Sequence, residues 1–160
     1  MLGVRLICVG KMRERFYIDA FEEYRKRLGA YCRFELVEIG EQRLPDNPSA
    51  AEIAAALEKE GAEILKAIPS DAFVAALCVE GKEKSSEDFS ALFTERGSSG
   101  KPKICFLIGG SCGMSETVKA RADLRLSMSK MTFPHHLARV MLIEQIYRAF
   151  KIAEGSRYHK

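Results

Sequence analysis

No stretch of this chain runs apolar for the roughly 18 positions that a membrane span needs, so the sequence predicts no membrane partner. No CxxC pair and no His-spaced cysteine cluster occurs, which argues against zinc and leaves no metal in the expected chemistry. The five cysteines, Cys8, Cys32, Cys78, Cys105 and Cys112, are odd in number and widely scattered. Three lie inside apolar strand-like runs, where a free thiol acts as a small hydrophobe, and a reducing cytoplasm suits them best. Neither sign of charge is in excess: 25 Lys and Arg against 22 Asp and Glu leave a net +3. That permits an RNA or phosphate partner without arguing for one. The opening Met1-Leu-Gly-Val-Arg-Leu-Ile-Cys-Val-Gly10 reads as a strand, too short for a signal peptide. Internal repeats and low-complexity tracts are missing as well.

What remains is a chain of 160 residues, 47% hydrophobic and 29% charged, which predicts one globular domain over residues 1–160 with a proper core. Val4–Val9 is an apolar run closed by Gly10, and Lys11–Arg15 is a basic turn. Phe16–Leu28 has helical spacing and ends at Gly29. Phe34–Ile39 is strand-like, and its acids Glu35 and Glu38 suggest a sheet edge. Ser49 and Glu52 make a capping box for a helix to Ala67. Ala72–Val79 is a buried strand stopped by Glu80-Gly-Lys82; Ser85 or Ser86 caps the next helix; Ile104–Ile108 is a third apolar strand, running into Gly109–Ser115 and a short helix. Apolar strands alternating with helices predict an α/β fold, a mainly parallel sheet with helices on both faces.

The last forty residues organise the rest. Leu124, Leu126 and Met128 alternate with Arg125, Ser127 and Ser129, the period of a strand. A six-residue loop leads to a helix over residues 134–153, with Thr132 as its expected N-cap, Pro134 in its first turn and Gly155 placed to end it. In α/β proteins, strand C-termini and helix N-termini open onto one ligand crevice. Apolar residues cover far more of this helix than one stripe, so it is buried on two sides: either a central core helix or one shared with a subunit interface. Glu144 and Arg148 are spaced to pair on its polar strip.

Three strand ends are candidates to line the crevice: Leu77–Gly81, Ile108–Gly110 and Met128–Phe133. Gly109-Gly-x-x-Gly113 follows a strand and precedes a helix, but it is neither GxGxxG nor a P-loop. It is either a tight turn needing positive φ or a backbone approaching a ligand closely. The loops offer mainly backbone groups and apolar walls, which suits an adenine-bearing neutral or zwitterionic ligand and not a triphosphate. His135 and His136 are adjacent, point about 100° apart and cannot form one metal pair. Arg139 opposes the helix dipole, so helix stability does not explain it; it is expected to face the loop and to meet a phosphate or a base. Tyr158-His159-Lys160 is either a frayed end or a stacking and charged set suited to an RNA base.

At these residues the chain resembles the RlmH family of SPOUT methyltransferases. The resemblance rests on Leu77-Cys-Val-Glu-Gly-Lys82, Ser86-Glu87, Phe106–Gly110 with Gly113, Leu126–His135, Arg139, Glu144–Lys151 and Tyr158–Lys160, and its weaker features span the chain. It implies a C-terminal trefoil knot over about residues 104–155, which spacing rules would never suggest. It also implies a homodimer with the knot at the interface, and S-adenosyl-L-methionine touching Leu77, Gly109, Met128, Ser129, Lys130, Met131, Thr132 and Phe133. The implied reaction is methylation of N3 of a pseudouridine in 23S ribosomal RNA of the large subunit. The expected setting is a 70S ribosome in the cytoplasm, because a net charge of +3 grips naked RNA weakly. An inactive RNA-binding assembly protein of the same fold is the alternative. Relatives usually carry an acid where this chain has Cys78, and some carry one where it has Ser111-Cys112. For chemistry, Arg139 is expected to stabilise the developing anion, His159 or His135 to assist the proton, and Tyr158 to stack on the base.

Overall fold

The computed structural model describes residues 1–160. Ten elements alternate: β1 (Gly3–Val9), α1 (Arg15–Leu28), β2 (Arg33–Ile39), α2 (Ala50–Ala67), β3 (Phe73–Glu83), α3 (Ser86–Gly97), β4 (Lys103–Ile108), α4 (Glu116–Arg121), β5 (Leu124–Ser127) and α5 (His135–Ala153). The strands form one sheet in the order β2-β1-β4-β3-β5, every pair parallel. All five C-terminal ends therefore share one edge. β2, with its acids Glu35 and Glu38, does lie at an edge of the sheet.

Alternation along the strands divides the core. Leu6, Cys8, Phe106 and Ile108 point to the side that carries Phe21 of α1, Phe89 of α3 and Leu142 of α5. Ile7, Val9, Cys105 and Leu107 point to the other side, against Ile64 of α2 and Val118 of α4. Period-two side chains that are apolar on both faces are what a doubly covered parallel sheet requires. No helix is long and apolar enough to cross a membrane.

Local signals set most element ends. The Ser49–Glu52 capping box forms in both directions, and Ser85, not Ser86, caps α3 by accepting from the Asp88 N–H at 3.0 Å. Gly155, at φ 72°, ends α5. Its N–H donates to Ile152 O and that of Ser156 to Lys151 O, both at 3.0 Å, the paired bonds of a Schellman motif.

Three expectations need correction. β3 does not stop at Glu80-Gly-Lys82 but runs to Glu83; after a bulge, Lys82 and Glu83 pair with Leu126 and Ser127 of β5. Gly81 permits this as the one residue without a Cβ, because a Cβ there would lie 2.7 Å from the Arg125 carbonyl group. β5 ends at Ser127 and does not continue to Ser129: the Ser127 Oγ lies 2.9 Å from Val79 O and 2.8 Å from Ser129 O, which bends the chain away. Thr132 is not the N-cap of α5. Pro134 holds that position with no side-chain cap, and Thr132 lies on the crevice lining instead.

α5 is covered almost all round. Arg139, Leu142, Ile143, Ile146 and Ala149 are fully buried in the protomer's own core. Leu137, Val140, Met141 and Tyr147 on its other faces are half-buried.

Candidate functional site

The C-terminal edge of the sheet holds a crevice of about 590 Å³ between β3, β4 and the loop that joins β5 to α5. A volume of that size is typical of a small-molecule site. Of the positions expected from sequence, Leu77, Gly109, Met128, Ser129, Met131, Thr132, Phe133 and His135 line it. Lys130 lies in the same loop, exposed, outside the lining.

The glycine loop is both a turn and a close approach. Gly113 has φ 84° and its N–H donates to Gly110 O at 3.0 Å, so a left-handed residue closes the turn. A Cβ on Gly109 would sit 2.3 Å from Gly113 O and 2.7 Å from Met114 Cγ. A larger residue at position 109 would therefore push the loop apart before it reached any ligand. The β4 end thus presents backbone to the crevice.

Ionised side chains on the crevice are few. Glu80 and Lys119 pair at 2.7 Å on its rim. The Lys119 hydrogen bond pulls the Glu80 carboxyl below its usual range, and Glu80 in turn raises Lys119. Each charge is thus occupied by the other. Cys78 is a buried thiol whose pKa is raised by burial, so it supplies no charge. No group of three or more His, Cys, Asp or Glu residues is arranged to hold a metal ion.

His135 is the titratable group nearest the helix start. Burial first, then the neighbouring His136, lower its pKa from the ordinary 6.5, so the imidazole is neutral at physiological pH. Its ring packs edge-on against His136, 4.1 Å between centroids. His136 Nδ1 lies 3.3 Å from Glu14 Oε2, which ties the start of α5 to the turn before α1.

Arg139 does not face the loop. Its side chain is fully buried; Nη1 donates to Glu38 Oε2 at 2.8 Å and Nη2 to Gly10 O at 3.1 Å, while Nε has no partner. It joins α5 to the ends of β1 and β2, outside the crevice lining.

The tail is docked, not frayed. Tyr158 Oη donates to Glu144 Oε1 at 3.1 Å, and its ring packs edge-on against Tyr147 with the Arg148 guanidinium 4.8 Å from its centre. Burial, followed by hydrogen bonds to Tyr24 and Glu144, raises the phenol pKa. His159 Nε2 lies 2.7 Å from Glu87 Oε1, and Nδ1 lies 3.2 Å from Arg148 Nη1. The Glu144–Arg148 pair forms at 2.6 Å. Tyr158 and His159 thus sit away from the crevice of their own chain.

A second cavity of about 430 Å³ opens between α1, α3 and α5, with Tyr24, Phe89, Val140, Met141, Glu144 and Gln145 on its walls. It shares Leu126 and Met128 with the crevice. Sequence reasoning missed this cavity and the Glu80–Lys119 pair. The mixed half-buried face of α5 was the only sign of the first. Nothing in the spacing signalled the second.

Comparison with known proteins bears on these features. The family model described as "Predicted SPOUT methyltransferase" matches residues 2–159. A Clostridium beijerinckii protein named ribosomal RNA large subunit methyltransferase H is 48% identical over 99% of this chain and 100% of its own length. One of the same name from Listeria monocytogenes is 45% identical over the same spans. Among solved structures, a probable methyltransferase from Bordetella pertussis superposes with a TM-score of 0.56 at 16% identity, covering 91% of this chain and 95% of its own. A probable methylase family protein from Haemophilus influenzae gives 0.55 at 12% identity, covering 100% and 72%.

Proposed function

The chain belongs to the SPOUT methyltransferase family, and on that premise we propose that it methylates N3 of a pseudouridine in large-subunit ribosomal RNA, with S-adenosyl-L-methionine as donor. The observation that carries the reading is the crevice itself, a backbone-lined slot at the strand ends that uses eight of the expected positions. Its donor set fits the cofactor. Carbonyls and amides of residues 77, 109, 128, 129 and 131–133 suit the edge of an adenine, and the apolar walls suit its faces. The rim charges of Glu80 and Lys119 neutralise one another, and no cluster of cations favours a polyphosphate.

When bound, the donor supplies a methyl group already activated on a sulfonium, so the chain needs no nucleophile of its own. Its task is to align the acceptor nitrogen and take its proton. His135, neutral and on the crevice wall, is the group on this chain suited to receive that proton. Arg139, held by Glu38 and Gly10, acts as a positioning residue that fixes the turn of α5 carrying His135. Tyr158 and His159 act on the crevice of a second copy.

That last role requires a homodimer. Half-buried Val140 and Met141 on α5, with Tyr24 across the second cavity, offer a face on which another copy can bury apolar surface. The reading includes a trefoil knot over residues 104–155, as the family resemblance implies. The assembled 70S ribosome in the cytoplasm remains the favoured substrate, because a net +3 gives little grip on free RNA. Calorimetric titration with S-adenosylmethionine and with S-adenosylhomocysteine tests the donor assignment. Binding of both is expected, and a folded protein that binds neither would contradict it.

A further inference from the structure

Four large apolar side chains stand exposed on this protein: Met1, Phe16 at 67%, Val79 at 46% and Met131 at 73%. The last two line the crevice. Phe16 stands on the first turn of α1, directly after the connection Lys11-Met-Arg-Glu14, which leaves the sheet at the same C-terminal edge.

That segment is fixed in place. Gly10 turns at φ 84°, and Met12 packs into the core beneath. Glu14 meets His136 at 3.3 Å. Ring contacts then run without a break to the crevice: Phe16 to Tyr17 at 4.4 Å, Tyr17 to His136 at 6.4 Å, His136 to His135 at 4.1 Å. The segment's cations point outward. Lys11 and Arg13 are exposed and have no carboxylate partner, while Arg15 is held only by Asp19 on the solvent face of α1. Exposed Lys130 adds a further cation in the β5–α5 loop that lines the crevice.

We infer that the β1–α1 turn and the first turn of α1 form an RNA-strand platform beside the crevice, with Lys11 and Arg13 contacting phosphates and Phe16 stacking on a base next to the one that enters. The inference rests on the reading of the crevice as the methyl-transfer site. An exposed aromatic beside unpaired cations is the combination that single-stranded nucleic acid requires: the ring takes the face of any base, and the cations follow the backbone. The chain's overall charge is too small to supply that grip, so a local cluster must. A membrane surface would want a broad exposed apolar helix face, and here α1 turns its apolar face to the core and leaves Phe16 as the single exposed aromatic, on its first turn.

The test uses Phe16→Ala and the double variant Lys11→Ala/Arg13→Ala in the full chain. The probe is a synthetic RNA hairpin with an unpaired pseudouridine in its loop, and the same variants are assayed for methyl transfer to large subunits. Phe16→Ala should weaken hairpin binding about tenfold, the scale of one lost base stack. The double variant should lower the slope of log affinity against log salt by about 1.4, for two lost contacts to a single strand. Both should raise KM for RNA more than they lower kcat, with S-adenosylmethionine affinity and sedimentation unchanged. Wild-type affinity and salt slope in both variants would overturn the platform. So would conversion of a dimer to a monomer by Phe16→Ala, which would make the turn a subunit contact. Failure of the wild-type protein to transfer methyl to any ribosomal RNA would instead overturn the reading of the crevice.

Discussion

Arg139 of α5 and Glu38 of β2 form an ion pair at 2.8 Å in which the arginine side chain has no solvent exposure. The pair joins the edge strand to the helix that borders the crevice. Removing Glu38 leaves a buried guanidinium with only Gly10 O as partner, so Glu38→Ala should cost about 3 kcal/mol. The double variant Glu38→Leu/Arg139→Met should recover most of that loss, because hydrophobic side chains of similar volume need no counter-charge. Denaturant midpoints at fixed protein concentration check both. A Glu38→Ala protein as stable as the parent would show that the pair is incidental.

The docked tail makes a kinetic prediction. Deleting residues 158–160 removes the contacts of Tyr158 with Glu144 and of His159 with Glu87, none of which touches the crevice. Donor affinity and dimerisation should stay near normal while methyl transfer falls by about a hundredfold, the scale of losing a positioning or acid–base group. Mixing the truncated chain with an Arg139→Ala chain should restore part of the rate if tail and crevice act across subunits. An unchanged rate in the truncated protein would confine the tail to bracing α5.

The pH dependence follows from His135. Its pKa is lowered in the folded chain, by burial first and then by His136, so the folded state binds its proton less readily than the unfolded chain. The associated stability is present above the ordinary value of about 6.5 and is lost as pH falls through the lowered one. Wild-type protein should therefore lose stability as pH drops below about 6.5, and lose methyl transfer at lower pH, as it falls through the lowered value. In His135→Gln that step in stability should disappear. A pH–stability curve for His135→Gln parallel to the wild type would remove His135 from the account.

The proposed homodimer distinguishes two faces of one helix. Ile143 and Ile146 are fully buried in the protomer's own core, so a carboxylate at either should unfold the chain rather than split a dimer. Met141 is half-buried and faces the second cavity. Met141→Glu should give a folded monomer by sedimentation and circular dichroism. A Met141→Glu protein that remains dimeric would place the interface elsewhere.

Much of this architecture is written in local patterns. Apolar runs of five to eight residues mark the buried strands, and Ser49 with Glu52, Ser85 and Gly155 mark helix ends through bonds that span a few residues. The crevice loops were legible because a parallel sheet puts its strand ends on one edge. What escaped was decided by approaches through space. Glu80-Gly-Lys82 reads as a stop, but Gly81 is small because β5 passes across it. Arg139 reads as loop-facing until Glu38, 101 residues away in sequence, is seen to claim it. Tyr158 lies beyond a helix-ending glycine, where periodicity is silent, and its partner Glu144 is on the preceding helix.

The central claim is methyl transfer to one position of the large-subunit RNA. The direct measurement incubates the protein and labelled S-adenosylmethionine with ribosomes that lack the modification, as 70S particles, 50S subunits and free 23S RNA. The modified nucleoside is then identified by mass spectrometry. The account predicts one methyl per ribosome, on N3 of a pseudouridine, with 70S particles the best substrate. Label on a different nucleoside, or no label on any of the three substrates from a protein that binds the donor, would contradict it.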